Sequence, residues 1–119
     1  MPLLLGLDIG TTSTIGILID GEGRTHATAS RPSELMSPHA GWAEEDADAW
    51  WANCCAIVPE LLRQAGARAS DIAAVGATGM VPAVVLLDEA GHPLRPAMLQ
   101  NDARATAEIE AMARKFDAG

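Results

Sequence analysis

The sequence predicts an α/β fold that opens with three antiparallel strands and continues with a long helix. Three observations support this class. Two apolar runs lie close together near the start of the chain, at 3–8 and 14–20. A turn of sequence Asp-Gly-Glu-Gly at 20–23 separates the second run from a third strand at 24–30. Apolar residues then recur at helical spacing between 47 and 62.

The helical pattern predicts one helix that begins after Asp46 and ends at Gly66. Asp46 is a good N-cap, because its carboxylate can accept from the first unpaired backbone N–H groups. Gly66 is a natural stop, since glycine adopts the left-handed conformation common after helices. Pro59 lies inside the pattern and should kink the helix or remove one of its hydrogen bonds. We interpret Glu44 and Glu45 as part of an acidic, solvated helix start rather than as an acid–base pair.

After this helix the sequence predicts a strand at 71–78, a second strand at 83–87 with a hairpin partner at 94–99, and a last amphipathic helix at 103–116. Two prolines near the hairpin partner favour an edge position for it. Asp102 is the expected N-cap of the last helix. The apolar face of that helix carries Ile109, Met112 and Phe116. The order β-β-β-α-β-(β-hairpin)-α is that of a ribonuclease H-like core, not the strand–helix alternation of a Rossmann fold.

Composition limits the possible functions. The chain has 119 residues and a net charge of −8, with 16 acidic against 8 basic side chains, which disfavours a broad nucleic-acid surface or an anionic membrane surface. No signal peptide and no stretch long enough for a membrane helix is visible. The adjacent Cys54 and Cys55 are expected to be thiols, as in a reducing compartment. These features predict a soluble, cytoplasmic protein.

Two other residue types have structural interpretations. We expect the three tryptophans to pack the central loop and the first helix against the sheet: Trp42, Trp50 and Trp51. The three histidines are isolated in turns or loops, so neither a metal nor a catalytic role is expected for them: His26, His39 and His92.

The segment between the first two strands, Gly-Leu-Asp-Ile-Gly-Thr-Thr-Ser, combines the groups that bind phosphates. Asp8 is a hard oxygen ligand suited to Mg²⁺ or its waters. Gly10 lets backbone approach an oxyanion, and Thr11, Thr12 and Ser13 can donate further hydrogen bonds. The alternative is an ordinary hairpin in which these polar residues serve only the turn.

Three segments together resemble the FGGY carbohydrate kinases, within the actin–sugar kinase–heat-shock ATPase superfamily. The first is 6–13, which is similar to the family's phosphate-contacting hairpin. The second is Gly-Trp-Ala-Glu-Glu-Asp at 41–46, followed by the Trp pair at 50–51. The third, 94–104, includes Leu-Arg-Pro and Asn-Asp-Ala-Arg and is similar to a run in xylulokinases. The resemblance extends over nearly the whole chain.

The resemblance implies transfer of the ATP γ-phosphoryl group to a sugar or polyol hydroxyl. It implies that Asp8 organises Mg²⁺ and that Gly10, Thr11, Thr12 and Ser13 hold the β- and γ-phosphates. It also implies a set of substrate-binding residues: Val81, Pro82, Gln100, Asn101 and Asp102. For Asp102 the helix N-cap role stays open beside the substrate contact, and for Asn101 and Arg104 a solvated helix start is favoured.

The chain departs from the family pattern at three of these positions. Val81 and Pro82 stand where the family has polar residues, and Gln100 stands where it usually has Trp. A pocket that hydrogen-bonds a hydroxyl discriminates strongly against ligands that lack it. The loss of polar groups should change the substrate, so neither xylulose nor glycerol is assigned.

By resemblance, residues 1–119 are the N-terminal portion of the first of two kinase domains. The general base, an Asp, is expected beyond residue 119, as is the adenosine site, so the chain alone should contain no catalytic residue and be inactive. Two alternatives remain: another actin-like ATPase, and a degenerate kinase that binds without turnover. The strand at 71–78 should present an open edge, so homodimers or self-association of the isolated chain are expected.

Overall fold

The computed structural model describes residues 1–116 and has an α/β fold. Its elements follow in the order β1 (Leu3–Ile9), β2 (Ser13–Asp20), β3 (Thr25–Pro32), β4 (Glu44–Glu45), α1 (Ala47–Ala65), a 3-10 turn (Ala69–Asp71), β5 (Ile72–Gly79), β6 (Ala97–Met98) and α2 (Thr106–Lys115). The three opening strands, the helix and the following strand are confirmed within one or two residues of the predicted bounds.

The main sheet has the strand order β3-β2-β1-β5. β1 is central: it pairs antiparallel with β2 and parallel with β5. The parallel register sets Asp8 beside Thr78 and Ile9 beside Gly79. The carboxyl ends of β1 and β5 therefore lie together at one edge of the sheet, which is where parallel α/β sheets place their ligands.

α1 covers one face of this sheet and forms the main core with it. Leu5, Leu18, Ile57 and Leu61 are buried at this contact. Gly16 of β2 permits the close approach of the helix, since a Cβ added there would lie 2.4 Å from the Ile57 side chain. α1 therefore packs directly over Gly16, a strand position that has no side chain.

Both predicted ends of α1 are confirmed. The Asp46 carboxylate accepts from the backbone N–H of Asp48 at 2.9 Å. Gly66 has φ 61°, and its N–H bonds to carbonyls of the last turn. Pro59 lies on the exposed side, and the helix is continuous across it from Ala47 to Ala65.

The hairpin predicted from 83–87 and 94–99 is present only as isolated bridges. Val84 bridges to Met98, and Leu87 to Pro93. Prolines at 93 and 96 lack the N–H groups that a continuous ladder would use. The end of the second segment pairs instead with β4, a two-residue strand that the sequence did not predict.

The predicted start of the last helix and its predicted N-cap are wrong. α2 begins at Thr106 with Ala105 at the N-cap, so Asp102 does not cap it. The three apolar residues predicted to share one face of this helix are all exposed, in keeping with the apolar surface expected to be bare: Ile109, Met112 and Phe116. Trp51 is also 71% exposed and does not pack α1 onto the sheet.

The outer edge of β5 has no neighbouring strand within residues 1–116. Val75 on this strand is 61% exposed.

Cys54 is buried and Cys55 exposed, and both are free thiols, as expected. Neither helix described in residues 1–116 combines the length and apolarity needed to span a bilayer.

Gly16→Ala should destabilise the fold. The new methyl group would lie 2.4 Å from Ile57 and 2.9 Å from Leu61, so α1 has to shift, and overpacking of this kind costs about 1–3 kcal/mol. Gly21→Ala is the matched control, because a Cβ there meets no atom within 4 Å. Chemical denaturation of both variants checks this; equal midpoints would contradict the close helix–strand contact.

Residues 1–119 expressed alone should self-associate through the open edge of β5. Val75→Lys places a charge on that strand, which disfavours edge-to-edge pairing, and should lower the associated fraction. Leu35→Lys removes a similarly exposed apolar side chain from a loop and should leave association unchanged. Light scattering at micromolar concentration measures both; a monomer before substitution would refute the prediction.

Candidate active site

The turn between β1 and β2 is short and internally bonded. The N–H of Gly10 donates to the carbonyl of Ser13 at 2.9 Å, and the carbonyl of Thr12 accepts from the N–H of Ser33 at 2.9 Å. A Cβ at Gly10 would lie 3.1 Å from the Ser13 carbonyl oxygen, tighter than an ordinary contact. Only glycine fits this turn without displacing backbone.

The carboxyl ends of β1 and β5 place this turn beside the segment that follows β5. The N–H of Met80 donates to the carbonyl of Ile9 at 3.1 Å. The hydroxyl of Thr11 lies 3.8 Å from the Met80 sulfur. A Cβ at Gly79 would lie 3.2 Å from the Ile9 carbonyl oxygen, so the two chains meet closely there. The hairpin turn and the 80–82 segment therefore form one continuous surface.

Asp8 lies at the end of β1 with an exposed carboxylate. Thr78 is its register neighbour on β5. Within residues 1–116, no three His, Cys, Asp or Glu side chains form a metal-binding group. A single carboxylate fits Mg²⁺, because that ion keeps several waters and takes its remaining oxygens from substrate phosphates.

A mostly apolar cavity of about 370 Å³ adjoins the turn. Its wall includes Ile9, Trp50, Thr78, Met80 and Val81. Val81 is 79% exposed, so this side presents methyl groups where the resemblance implied polar contacts. Trp50 joins the helix to this wall, which agrees with its predicted packing role.

The segment that carries Gln100 and Asn101 is linked to the same surface. Val84 and Met98 exchange two backbone hydrogen bonds, of 2.9 and 3.0 Å. Beyond that bridge, the N–H of Asp102 donates to the carbonyl of Leu99 at 3.0 Å and closes a turn. Gln100 and Asn101 form the exposed tip of this turn.

Asp102 is oriented away from the open surface. Its Oδ2 accepts from the Ala43 N–H at 2.7 Å and from Arg104 Nη2 at 2.6 Å. Its Oδ1 accepts from Arg104 Nε at 2.8 Å and from the Arg104 N–H at 3.0 Å. Both oxygens are used within the chain, and 6% of the side chain is exposed.

Glu44 is buried and the Arg104 side chain is only 15% exposed, contrary to their interpretation as parts of solvated helix starts. Glu44 Oε1 accepts from Arg104 Nη2 at 2.7 Å and also from Arg95 Nη2. The Arg104 guanidinium lies 3.7 Å from the centre of the Trp42 ring, a cation–π contact. Trp42 therefore packs against an arginine, a contact that the sequence did not predict. We name Glu44, Arg95, Asp102 and Arg104 the ion cluster.

The pKa values of Asp102 and Arg104 are shifted by their contact within the ion cluster. The hydrogen bonds from the Arg104 guanidinium hold the pKa of Asp102 well below its usual range, and those from Ala43 and Arg104 backbone add to this. Hydrogen bonding to Asp102 in turn raises the pKa of Arg104. Both shifts favour the charged forms of the two side chains.

Glu45 is buried beside the ion cluster but is not part of it. Its Oε2 accepts from Trp50 Nε1 at 2.7 Å. Its Oε1 has no hydrogen-bond partner among the described residues, and neither has the hydroxyl of Ser33. Both residues line a cavity of about 430 Å³. Burial raises the pKa of the Glu45 carboxyl, with the Trp50 bond opposing the shift.

Sequence reasoning missed the ion cluster although both of its segments carried the family resemblance. Its four members come from two stretches more than 50 residues apart. The only local signal was an excess of charge beside apolar residues, which is equally typical of a solvated helix start. Pairing of β4 with β6 brings the two stretches together.

Glu45→Gln should stabilise the protein at neutral pH. When folding raises the pKa of a carboxyl group, its ionised form lowers the free energy of unfolding. This loss of stability is absent below the ordinary pKa of 4.5, and it grows as the pH rises through the pKa that the group has in the folded protein. Gln keeps an acceptor for Trp50 and removes the charge. The gain in melting temperature should therefore shrink as the pH is lowered towards 4.5.

Glu34→Gln is the control for this measurement, since Glu34 lines the same cavity but is exposed. Thermal unfolding of both variants between pH 4 and pH 8 tests the sign. A Glu45→Gln protein less stable than the parent at pH 7 would show that the ionised carboxylate is favourable there.

Comparison with known proteins gives the family. The model of the FGGY family of carbohydrate kinases, N-terminal domain, matches residues 3–118. A glycerol kinase of Acinetobacter baylyi is 40% identical over 106 residues, covering 88% of this chain and 21% of that protein. A glycerol kinase of Methylorubrum extorquens is 39% identical over 116 residues, covering 96% and 23%.

The solved structures that resemble this chain give the same family. The crystal structure of a xylulose kinase from Rhodospirillum rubrum has a TM-score of 0.91 and 47% identity, covering 98% of this chain and 24% of that one. The chain spans about a fifth of the length of the curated relatives it matches. The expected family and fold are therefore confirmed: the chain belongs to the FGGY family of carbohydrate kinases and matches its N-terminal domain.

Proposed function

We propose that this chain is the N-terminal part of the first domain of a kinase that phosphorylates a sugar or polyol hydroxyl with ATP. The observation that carries the proposal is the junction of the β1–β2 turn with the 80–82 segment, held by the 3.1 Å bond between Met80 and Ile9. A phosphoryl transfer needs donor and acceptor sites side by side. This junction supplies the two adjoining surfaces.

The donor side is the β1–β2 turn. Asp8 would hold Mg²⁺ through its exposed carboxylate or a bound water. Gly10 brings backbone close to the phosphates, and the hydroxyls of Thr11, Thr12 and Ser13 donate to their oxygens. Bound Mg²⁺–ATP supplies the γ-phosphoryl group and part of the charge neutralisation. The turn's contribution is position and hydrogen bonding.

The acceptor side is formed by Val81 and Pro82 together with Gln100 and Asn101 at the tip of the second turn. Valine and proline exclude water and provide apolar contact, while the two amides can bond hydroxyl groups. The named relatives are glycerol and xylulose kinases. We infer a small polyol or ketose as the substrate class.

The general base that deprotonates the accepting hydroxyl is proposed to be an Asp beyond residue 119. The site residues within 1–116 accordingly bind and position, and none is assigned a proton-transfer step. This division agrees with phosphoryl transfer, in which positioning and charge stabilisation supply most of the rate.

The test is ADP release by the full-length protein with a panel of polyols and ketoses, glycerol and xylulose included. Sugar-dependent release is expected. Release of ADP without any sugar would favour another ATPase of the superfamily, and binding without turnover would favour a degenerate kinase.

Asp8→Asn should lower kcat by about 100-fold or more, because the Mg²⁺ that neutralises the transferring phosphates would lose its charged protein ligand. Asp48→Asn is the control, since Asp48 is equally exposed but lies on α1. Steady-state kinetics at saturating Mg²⁺ measures both. Unchanged activity in the Asp8 variant would remove this residue from the metal site.

A further inference from the structure

The ion cluster lies behind the turn that carries Gln100 and Asn101. It contains two carboxylates and two guanidinium groups, so its formal charge is balanced. Glu44 and Asp102 are about 95% buried, and Arg104 is 15% exposed. Buried charges that are paired and hydrogen-bonded hold a defined geometry, whereas removal of one partner leaves an uncompensated charge.

Asp102 connects two backbone segments. Its carboxylate accepts from the N–H of Ala43, while its own N–H closes the turn onto Leu99. Two backbone bonds run alongside: Leu99 donates to Ala43 at 3.0 Å, and Ala103 donates to Gly41 at 2.7 Å. The base of the turn is therefore attached to the 41–43 segment at three points.

The tip of the turn has no comparable support. Gln100 and Asn101 are exposed, and their side chains make no hydrogen bond to the described residues. Their position is consequently set by the base of the turn, and the base is set by Asp102 and its bidentate bond with Arg104. Glu44 and the Trp42 ring fix the guanidinium from two other sides.

We propose that Asp102, with Arg104 and Glu44, is a positioning residue that sets the substrate affinity of the acceptor side, and that it does not contact the substrate. The inference rests on the proposed function for its acceptor surface. This positioning role replaces the direct substrate contact that the family resemblance implied for Asp102, because both carboxylate oxygens of Asp102 already accept hydrogen bonds from within the chain.

Asp102→Asn keeps the size of the side chain and weakens the bidentate bond. In the full-length protein the KM for the accepted sugar or polyol should rise by about 10-fold or more, since small misplacements of binding groups carry large kinetic costs. The KM for ATP should stay within about twofold, because the β1–β2 turn makes no bond to the ion cluster. A general loss of the folded structure would instead change both the KM for the sugar or polyol and the KM for ATP.

Arg104→Lys and Glu44→Gln serve as second variants if Asp102→Asn unfolds. Lysine keeps the charge but cannot make the bidentate bond, so the sugar KM should rise as for Asp102→Asn. The double variant Asp102→Asn with Arg104→Lys should raise it little further, since both changes break one interaction. Glu108→Gln is the control, an exposed carboxylate on α2 near Arg104 that makes no ion pair with it.

Hydrogen exchange of the 97–104 peptide gives a readout independent of activity. Asp102→Asn should speed exchange there and leave the 8–14 peptide unchanged. Unchanged exchange, or an unchanged sugar KM in a folded variant, overturns the proposal. If the parent protein phosphorylates no sugar or polyol, the proposed function and the affinity role fail together, while the exchange result still decides whether Asp102 holds the turn.

Discussion

The parallel pairing of β1 with β5 is the constraint on which the rest of the structure depends. It sets Ile9 beside Gly79 and so brings the β1–β2 turn against the segment that follows β5. Residues 69 positions apart in the chain become neighbours, as the Thr11–Met80 contact shows. Without this pairing the β1–β2 turn would be an isolated hairpin with no second segment beside it.

The two sides of the candidate site use electrostatics in opposite ways. The proposed donor side carries one exposed acidic residue, Asp8, beside backbone and hydroxyl groups, an arrangement suited to a metal ion and phosphates. The proposed acceptor side has its charges behind it in the ion cluster, where two carboxylates balance two guanidinium groups and only Arg95 is substantially exposed. In the proposed site, charge therefore serves ligand binding on the first side and backbone position on the second.

Local signals explain what the sequence could predict. The Asp46 cap, the Gly66 stop and the turn around Gly10 depend on a few adjacent residues, and each was found. The incorrect interpretations concern residues with distant partners. Glu44 and Arg104 are predicted to be solvated because the contact between them forms only when β4 pairs with β6. For Asp102, two roles were foreseen, and the capping role is excluded by the start of α2.

The most direct test of the central claim is a crystal structure of the full-length protein with Mg²⁺, a non-hydrolysable ATP analogue and the accepted sugar or polyol. The account predicts the γ-phosphate against the turn at 10–13, and the accepting hydroxyl facing it between the 80–82 segment and the tip formed by Gln100 and Asn101. A sugar bound away from both segments, or phosphates that do not touch the turn, would contradict it.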